Sequence, residues 1–113
     1  MKTHEEVEEY LLSYANTWLD FPFGEETSVY KIGHAETGGG KMFALIQNDS
    51  KPLRISLKCD PNLAELLREK YETVVPGYHL NKKHWNTILL TGQIDDEEIK
   101  DFIRLSYNLV AEA

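Results

Sequence analysis

Leu53-Arg54-Ile55-Ser56-Leu57-Lys58 alternates apolar and polar residues without a fault. In an extended chain successive side chains point to opposite faces, so this run predicts a strand with Leu53, Ile55 and Leu57 on one face and Arg54, Ser56 and Lys58 on the other. The first face must be covered; the second meets water. Further strand signals lie at Ser28 to Ile32 and Lys41 to Gln47 before it, and at Val74-Val75 and Trp85 to Leu90 after it, around a Pro76-Gly77 turn.

The cover is written in the flanking segments. Thr3 with Glu6 forms a capping box, and Val7, Tyr10, Leu11, Tyr14 and Trp18 follow at helical spacing, predicting a first helix that reaches Trp18. Phe21-Pro22-Phe23-Gly24 ends that period. Asp60 and Pro61 supply a cap and a first-turn proline for a second helix to about Tyr71, with Leu63, Leu66 and Leu67 as its stripe. Asp95 and Glu98 open a third, carrying Ile99, Phe102, Ile103, Ser106, Leu109 and Val110 inward. The order α-βββ-α-ββ-α predicts an α+β domain, an antiparallel sheet with helices packed on one face. At 113 residues the chain suits a single domain over 1–113.

Apolar residues at 42% and charged residues at 27% fit a globular protein rather than a disordered chain. The acidic start MKTHEEVEEY lacks the apolar centre of a secretory signal, and no apolar run is long enough to span a bilayer, so the expected compartment is the cytoplasm, with no membrane partner. The net charge of −7 disfavours nucleic-acid binding by the surface as a whole. Its distribution is uneven: residues 29–59 and 73–93, which hold most of the predicted strands, total +5, against −12 for the rest.

Several catalytic or ligand patterns fail on detail. Gly33 to Lys41 resembles a phosphate loop, but Ala35 and Met42 stand where glycine and a magnesium-binding hydroxyl are needed, and a strand follows instead of a helix. A flexible hairpin loop is the expectation. His79 and His84 flank two lysines with no nearby carboxylate or thiolate, a poor metal site. Cys59, the single cysteine, excludes an internal disulfide and reads as a small core residue, although its place before a helix would also suit a nucleophile. No acid, base and nucleophile cluster can be assembled from adjacent motifs, so the chain is expected to be no enzyme and to need no cofactor or metal.

The run from Pro76 to Thr87 crowds aromatic, imidazole, amide and ammonium groups into one short segment. Lysines neutralise phosphates, amides hydrogen-bond to bases or backbone, and aromatic rings stack on unpaired bases. Read as a strand, it would set Lys83 with Trp85 on one face and His84 with Asn86 on the other.

At this segment the chain resembles the MmcQ/YjbR family of small bacterial proteins, often labelled DNA-binding. The resemblance runs through Trp18 with Asp20-Phe21-Pro22-Phe23, Val29-Tyr30-Lys31, Lys41-Met42-Phe43-Ala44-Leu45, Leu57-Lys58-Cys59, Pro76-Gly77-Tyr78-His79, Asn81 to Thr87, and Ser106-Tyr107-Asn108-Leu109-Val110. It implies a compact frataxin-like or secretion-chaperone-like α+β fold. It also implies a DNA-binding module with candidate contacts at Tyr78, His79, Asn81, Lys82, Lys83, His84, Trp85 and Asn86, and it transfers no catalytic set. The alternative is a protein or peptide interaction module of chaperone-like type. Two departures stand out: the Gly33 to Gly40 loop is longer than the family's tight hairpin, and Leu80 replaces an expected methionine.

Overall fold

The Thr3 hydroxyl accepts the backbone N–H of Glu6 and opens helix α1 (His4–Leu12), which turns Val7 and Leu11 inward. The computed structural model describes residue 1 and residues 3–112. The predicted continuation to Trp18 does not occur. The helix stops at Leu12, Asn16 takes a left-handed φ of 60°, and Thr17–Asp20 forms an edge strand, β1. Tyr14 keeps the surroundings its spacing implied, since its hydroxyl lies 3.0 Å from that of Tyr10 and its ring stacks on Tyr107 at 4.6 Å. Trp18 instead pairs across to Lys31, and strand pairing outweighs the weak helical preference of a tryptophan.

The remaining elements fall where the sequence places them: β2 (Thr27–Ile32), β3 (Lys41–Gln47), β4 (Arg54–Lys58), α2 (Pro61–Lys70), β5 (Val74–Pro76), β6 (Trp85–Leu89) and α3 (Asp96–Ala111). Asp60 accepts the N–H groups of Asn62 and Leu63, and Asp95 that of Glu98, so both predicted caps are made. The sheet is antiparallel throughout, in the order β1-β2-β3-β4-β6-β5. The predicted order therefore holds, with β1 added at the edge. Residues 33–40 form the expected hairpin loop between β2 and β3, folded around a single 3-10 turn at Ala35–Thr37.

The alternation in β4 is obeyed. Ile55 and Leu57 join Tyr30, Ala44, Ile46 and Ile88 beneath Val7, Leu11, Leu67, Ile99 and Ile103 of the helices, forming the main core. The second face is drier than expected. Val29, Leu45 and Trp85 make a smaller buried cluster there, joined by Met42 and Leu80, and Ser56 is buried in a 2.7 Å hydrogen bond with Thr87. Alternation within one strand says which side chains share a face, not which segment later returns across it.

One irregularity ties the layers together. Tyr30 faces Ala44 and Lys31 faces Met42, so Phe43 is an extra residue in β3, a bulge. Its ring is buried edge-on to Tyr107 at 5.5 Å. Just beyond the Ala44–Leu57 pair that ends the β3–β4 ladder, the Ser106 hydroxyl of α3 donates to the Phe43 carbonyl at 2.6 Å and accepts the Lys58 N–H at 3.0 Å. A helix side chain thus stands between two strands' backbone groups. Among the described residues no helix is long and apolar enough to cross a membrane.

Candidate binding site

The segment leaving β5 turns back over the sheet at Gly77. A β-carbon there would lie 2.7 Å from that of Trp85, so only glycine fits, and the Gly77 N–H donates to the Trp85 carbonyl at 2.9 Å. Tyr78 N–H then donates to the Thr87 hydroxyl at 2.9 Å. His79 adopts a left-handed φ of 57°, which brings its ring to 4.0 Å from that of Tyr78. The Asn81 side-chain oxygen accepts the N–H groups of Lys83 and His84, closing an Asx-type turn. Lys82 Nζ donates to the Gly77 carbonyl at 3.0 Å, while Arg68 of α2 holds the Lys82 carbonyl at 2.8 Å. The side chains of Lys83 and His84 are exposed and make no contact of this kind with the described residues.

Tyr78, His79, Asn81, Lys82, Lys83 and His84 therefore share one exposed loop. Trp85 and Asn86 do not belong with them. The strand begins at Trp85, so Lys83 and His84 are turn residues and the expected two-faced arrangement does not arise. Trp85 is 8% exposed and packs with Val29 and Leu45. Asn86 is 3% exposed and points to the helical side, where its Nδ2 donates to the Ala64 carbonyl at 3.2 Å. As surface contacts, these two are corrected by burial.

Beneath the loop lies a cavity of about 290 Å³ on the second face of the sheet. Tyr78, His79 and Leu80 form one wall, Phe23 the other, and Thr27, Leu45, Gln47 and Ser56 the floor. Phe23 and Tyr78 are exposed at 62% and 45%, leaving aromatic surface at the rim. The Arg54 guanidinium sits 5.7 Å from the Tyr78 ring centre, and its buried Nε has no hydrogen-bond partner. Sequence reasoning missed Phe23, Thr27, Gln47 and Arg54 as site residues. The signal available was the alternation that set Arg54 and Ser56 on the second face.

The charges are layered. Pairing in register puts Lys31, Arg54 and Lys58 on this second face, together with Asp20, whose carboxylate is bonded to Lys31 at 2.8 Å. That bond, with the Phe21 N–H, holds the Asp20 carboxyl below its ordinary range. The helices on the first face carry Glu5, Glu6, Glu8 and Glu9 in α1 and Asp96, Glu97 and Glu98 in the first turn of α3.

Cys59 lies apart from this site and is 9% exposed. Burial first, then the Asp60 charge, pushes its thiol up to about 11, the opposite of an activated nucleophile. Because the folded value exceeds the ~8.5 of a free thiol, the stability it contributes is full below that pH. It is lost as pH rises toward 11. Iodoacetamide at about pH 8 is expected to leave the native thiol unmodified over a period that fully alkylates the unfolded chain; equal rates by mass spectrometry would refute the burial argument. Among the described residues no group of three His, Cys, Asp or Glu side chains could hold a metal.

The sequence and the fold both have close counterparts. The family model described as YjbR matches residues 12–109. The protein YbdF of Escherichia coli O157:H7 is 36% identical over 96% of this chain and 84% of its own. The crystal structure of DR2400 from Deinococcus radiodurans superposes with a TM-score of 0.92 at 38% identity, covering 99% of this chain and 80% of that one. A crystal structure from Pseudomonas syringae gives 0.77 at 28% identity over 96% and 98% of the two chains.

Proposed function

This chain belongs to the YjbR family, and from that premise we propose that it is a non-enzymatic, cytoplasmic binding module for single-stranded DNA, acting through the second face of its sheet. The observation that carries the reading is an aromatic-rimmed cavity on the base-rich side of a molecule whose helical side is acid-rich. An unpaired base enters between Phe23 and the Tyr78–His79 pair, where Thr27, Gln47 and Ser56 offer donors and acceptors to its edge. The Arg54 guanidinium, 5.7 Å from the Tyr78 ring centre, adds positive charge beside the same wall. Lys82 and Lys83 neutralise flanking phosphates from the exposed loop. A concave floor favours one extruded base over a duplex groove, which calls for a protruding helix or ribbon.

Fluorescence anisotropy with labelled single-stranded and duplex oligonucleotides tests this. At about 50 mM salt the single strand is expected to bind with a Kd of about 10 μM or tighter, and the duplex more weakly. With about four phosphate contacts, affinity should fall roughly fiftyfold between about 50 and 200 mM salt. Changing Lys82 and Lys83 together to Glu should weaken binding alike across sequences while stability stays within about 0.5 kcal/mol. Their double change to Ala should flatten the salt slope by about 1.4. A double-Glu protein that folds and binds like the parent removes the loop from the reading; no binding at about 10 μM protein removes DNA altogether.

A second reading has its own observation. Phe21 and Phe23 are exposed at 46% and 62% beside β1, the edge of the sheet, where a partner's extended segment can add as a further strand. Partners captured from lysate that survive nuclease treatment support this reading, and their complete loss supports DNA.

A further inference from the structure

Burial of Asn86 leaves one of its polar atoms unspent. Its Nδ2 donates to the Ala64 carbonyl at 3.2 Å, and because a carbonyl only accepts, that bond fixes which end of the amide is the oxygen. Oδ1 is buried as well and has no hydrogen-bond partner among the described residues. An acceptor shut away from water in this state is costly, and it marks a place where a donor is to be bound.

Asn86 also lines a small cavity, of about 20 Å³, on the helical side of the sheet. Leu57, Val74 and Ile88 give it an apolar floor, and Leu63 of α2 with Phe102 and Leu105 of α3 close it above. No lining side chain brings a charge to it: strand alternation turns the Lys58 ammonium to the opposite face, and burial keeps the Cys59 thiol protonated. A water is poorly held there, since it needs about two to four polar partners and the lining side chains offer only the Asn86 amide and a weakly bonding thiol. The seam can widen. α2 rests on β5 and β6 and α3 chiefly on β3 and β4, each more than on the other helix, and Leu105 at the mouth is 42% exposed.

We propose that this cavity, widened by an outward turn of Leu105, binds a neutral aromatic molecule of the phenol or indole class. The single O–H or N–H of such a ring donates to Asn86 Oδ1, and its apolar body lies between the two helices against Leu57, Ile88 and Phe102. Rotation of an exposed side chain is fast, so Leu105 opens and closes the mouth without any change in the fold. The site is independent of the DNA-binding reading, which uses the opposite face of the sheet.

The test is titration of the protein with indole and with phenol, each beside the analogue of like shape that lacks the donor, benzofuran and fluorobenzene, followed in amide proton–nitrogen correlation spectra. The expected result is saturable shifts at Cys59, Leu63, Ile88 and Leu105, with a Kd of about 1 mM for at least one donor-bearing ring and about tenfold weaker binding of its analogue. Asn86→Leu keeps the bulk and loses the acceptor, so it should bring the two Kd values within about twofold of each other. Should that variant fail to fold, the ratio measured on the parent decides alone. Equal affinity of the two rings for the parent would overturn the proposal, as would a preference for the donor that persists in Asn86→Leu. So would shifts confined to Phe23, Tyr78 and Leu80, which place the ring in the other cavity, or the absence of saturable shifts with both indole and phenol.

Discussion

Trp85→Ala is expected to cost about 3–5 kcal/mol of folding stability, read as a lowered urea midpoint with an unchanged slope. Its ring anchors the buried cluster on the second face with Val29 and Leu45, and its backbone carbonyl receives the Gly77 N–H at 2.9 Å. The loop that walls the cavity packs on this residue and is further tied to Thr87 and Arg68. Loss of the ring removes the largest member of that buried cluster and leaves a void that a strand in mid-sheet cannot collapse around. A domain of this size has roughly 5–15 kcal/mol in all, so the variant should be close to unfolding at physiological temperature. A cost below about 1 kcal/mol would show that Trp85 is not the anchor. It would then return as a candidate contact.

Ser106→Ala carries the second large effect, although it removes a single oxygen. The hydroxyl serves the Phe43 carbonyl and the Lys58 N–H together, and the residue is 0% exposed, so water does not replace it. Leaving both backbone groups unpaired in the core costs about 2–4 kcal/mol. Hydrogen exchange at the Lys58 amide distinguishes this from the competing result. If β3 and β4 draw together and bond directly, the amide stays protected and the loss falls below about 1 kcal/mol. If the gap persists, protection at Lys58 collapses with stability.

The helix starts were legible because capping is local: Thr3, Asp60 and Asp95 each bond to an N–H within three residues. The Lys41–Gln47 and Leu53–Lys58 runs were legible because burial on one or both faces leaves its mark on composition. β1 was not, because Trp18 falls at helical spacing from Tyr14 by coincidence, and what makes it a strand is a partner at Lys31 supplied from another segment. The candidate site was half legible. Its loop declared itself through Tyr78, His79 and the lysines, but the opposite wall comes from Phe23, and the floor from Thr27, Gln47 and Ser56, which only tertiary folding gathers. Trp85 and Asn86 were misjudged because a polar or aromatic residue one position inside a strand and one position before it look alike in sequence. The two occupy different surroundings.

The layering of charge also governs how the molecule approaches anything. With acidic helices on one side of the sheet and Arg54 and Lys58, beside the neutralised Lys31–Asp20 pair, on the other, the protein carries an electric moment roughly along the sheet normal. A polyanion exerts a torque on that moment, turning the helices away and the cavity forward before any atom touches. The torque reaches about 8–10 Å at physiological salt, so orientation is selected only in the last stage of diffusion. On the proposed DNA-binding reading, a net charge of −7 would repel the whole molecule while the moment aligns it, so encounter would be slow for most orientations and productive for one. Discrimination of this kind resides in the rate of arrival, and dilution of the buffer alters it without any change in the fold.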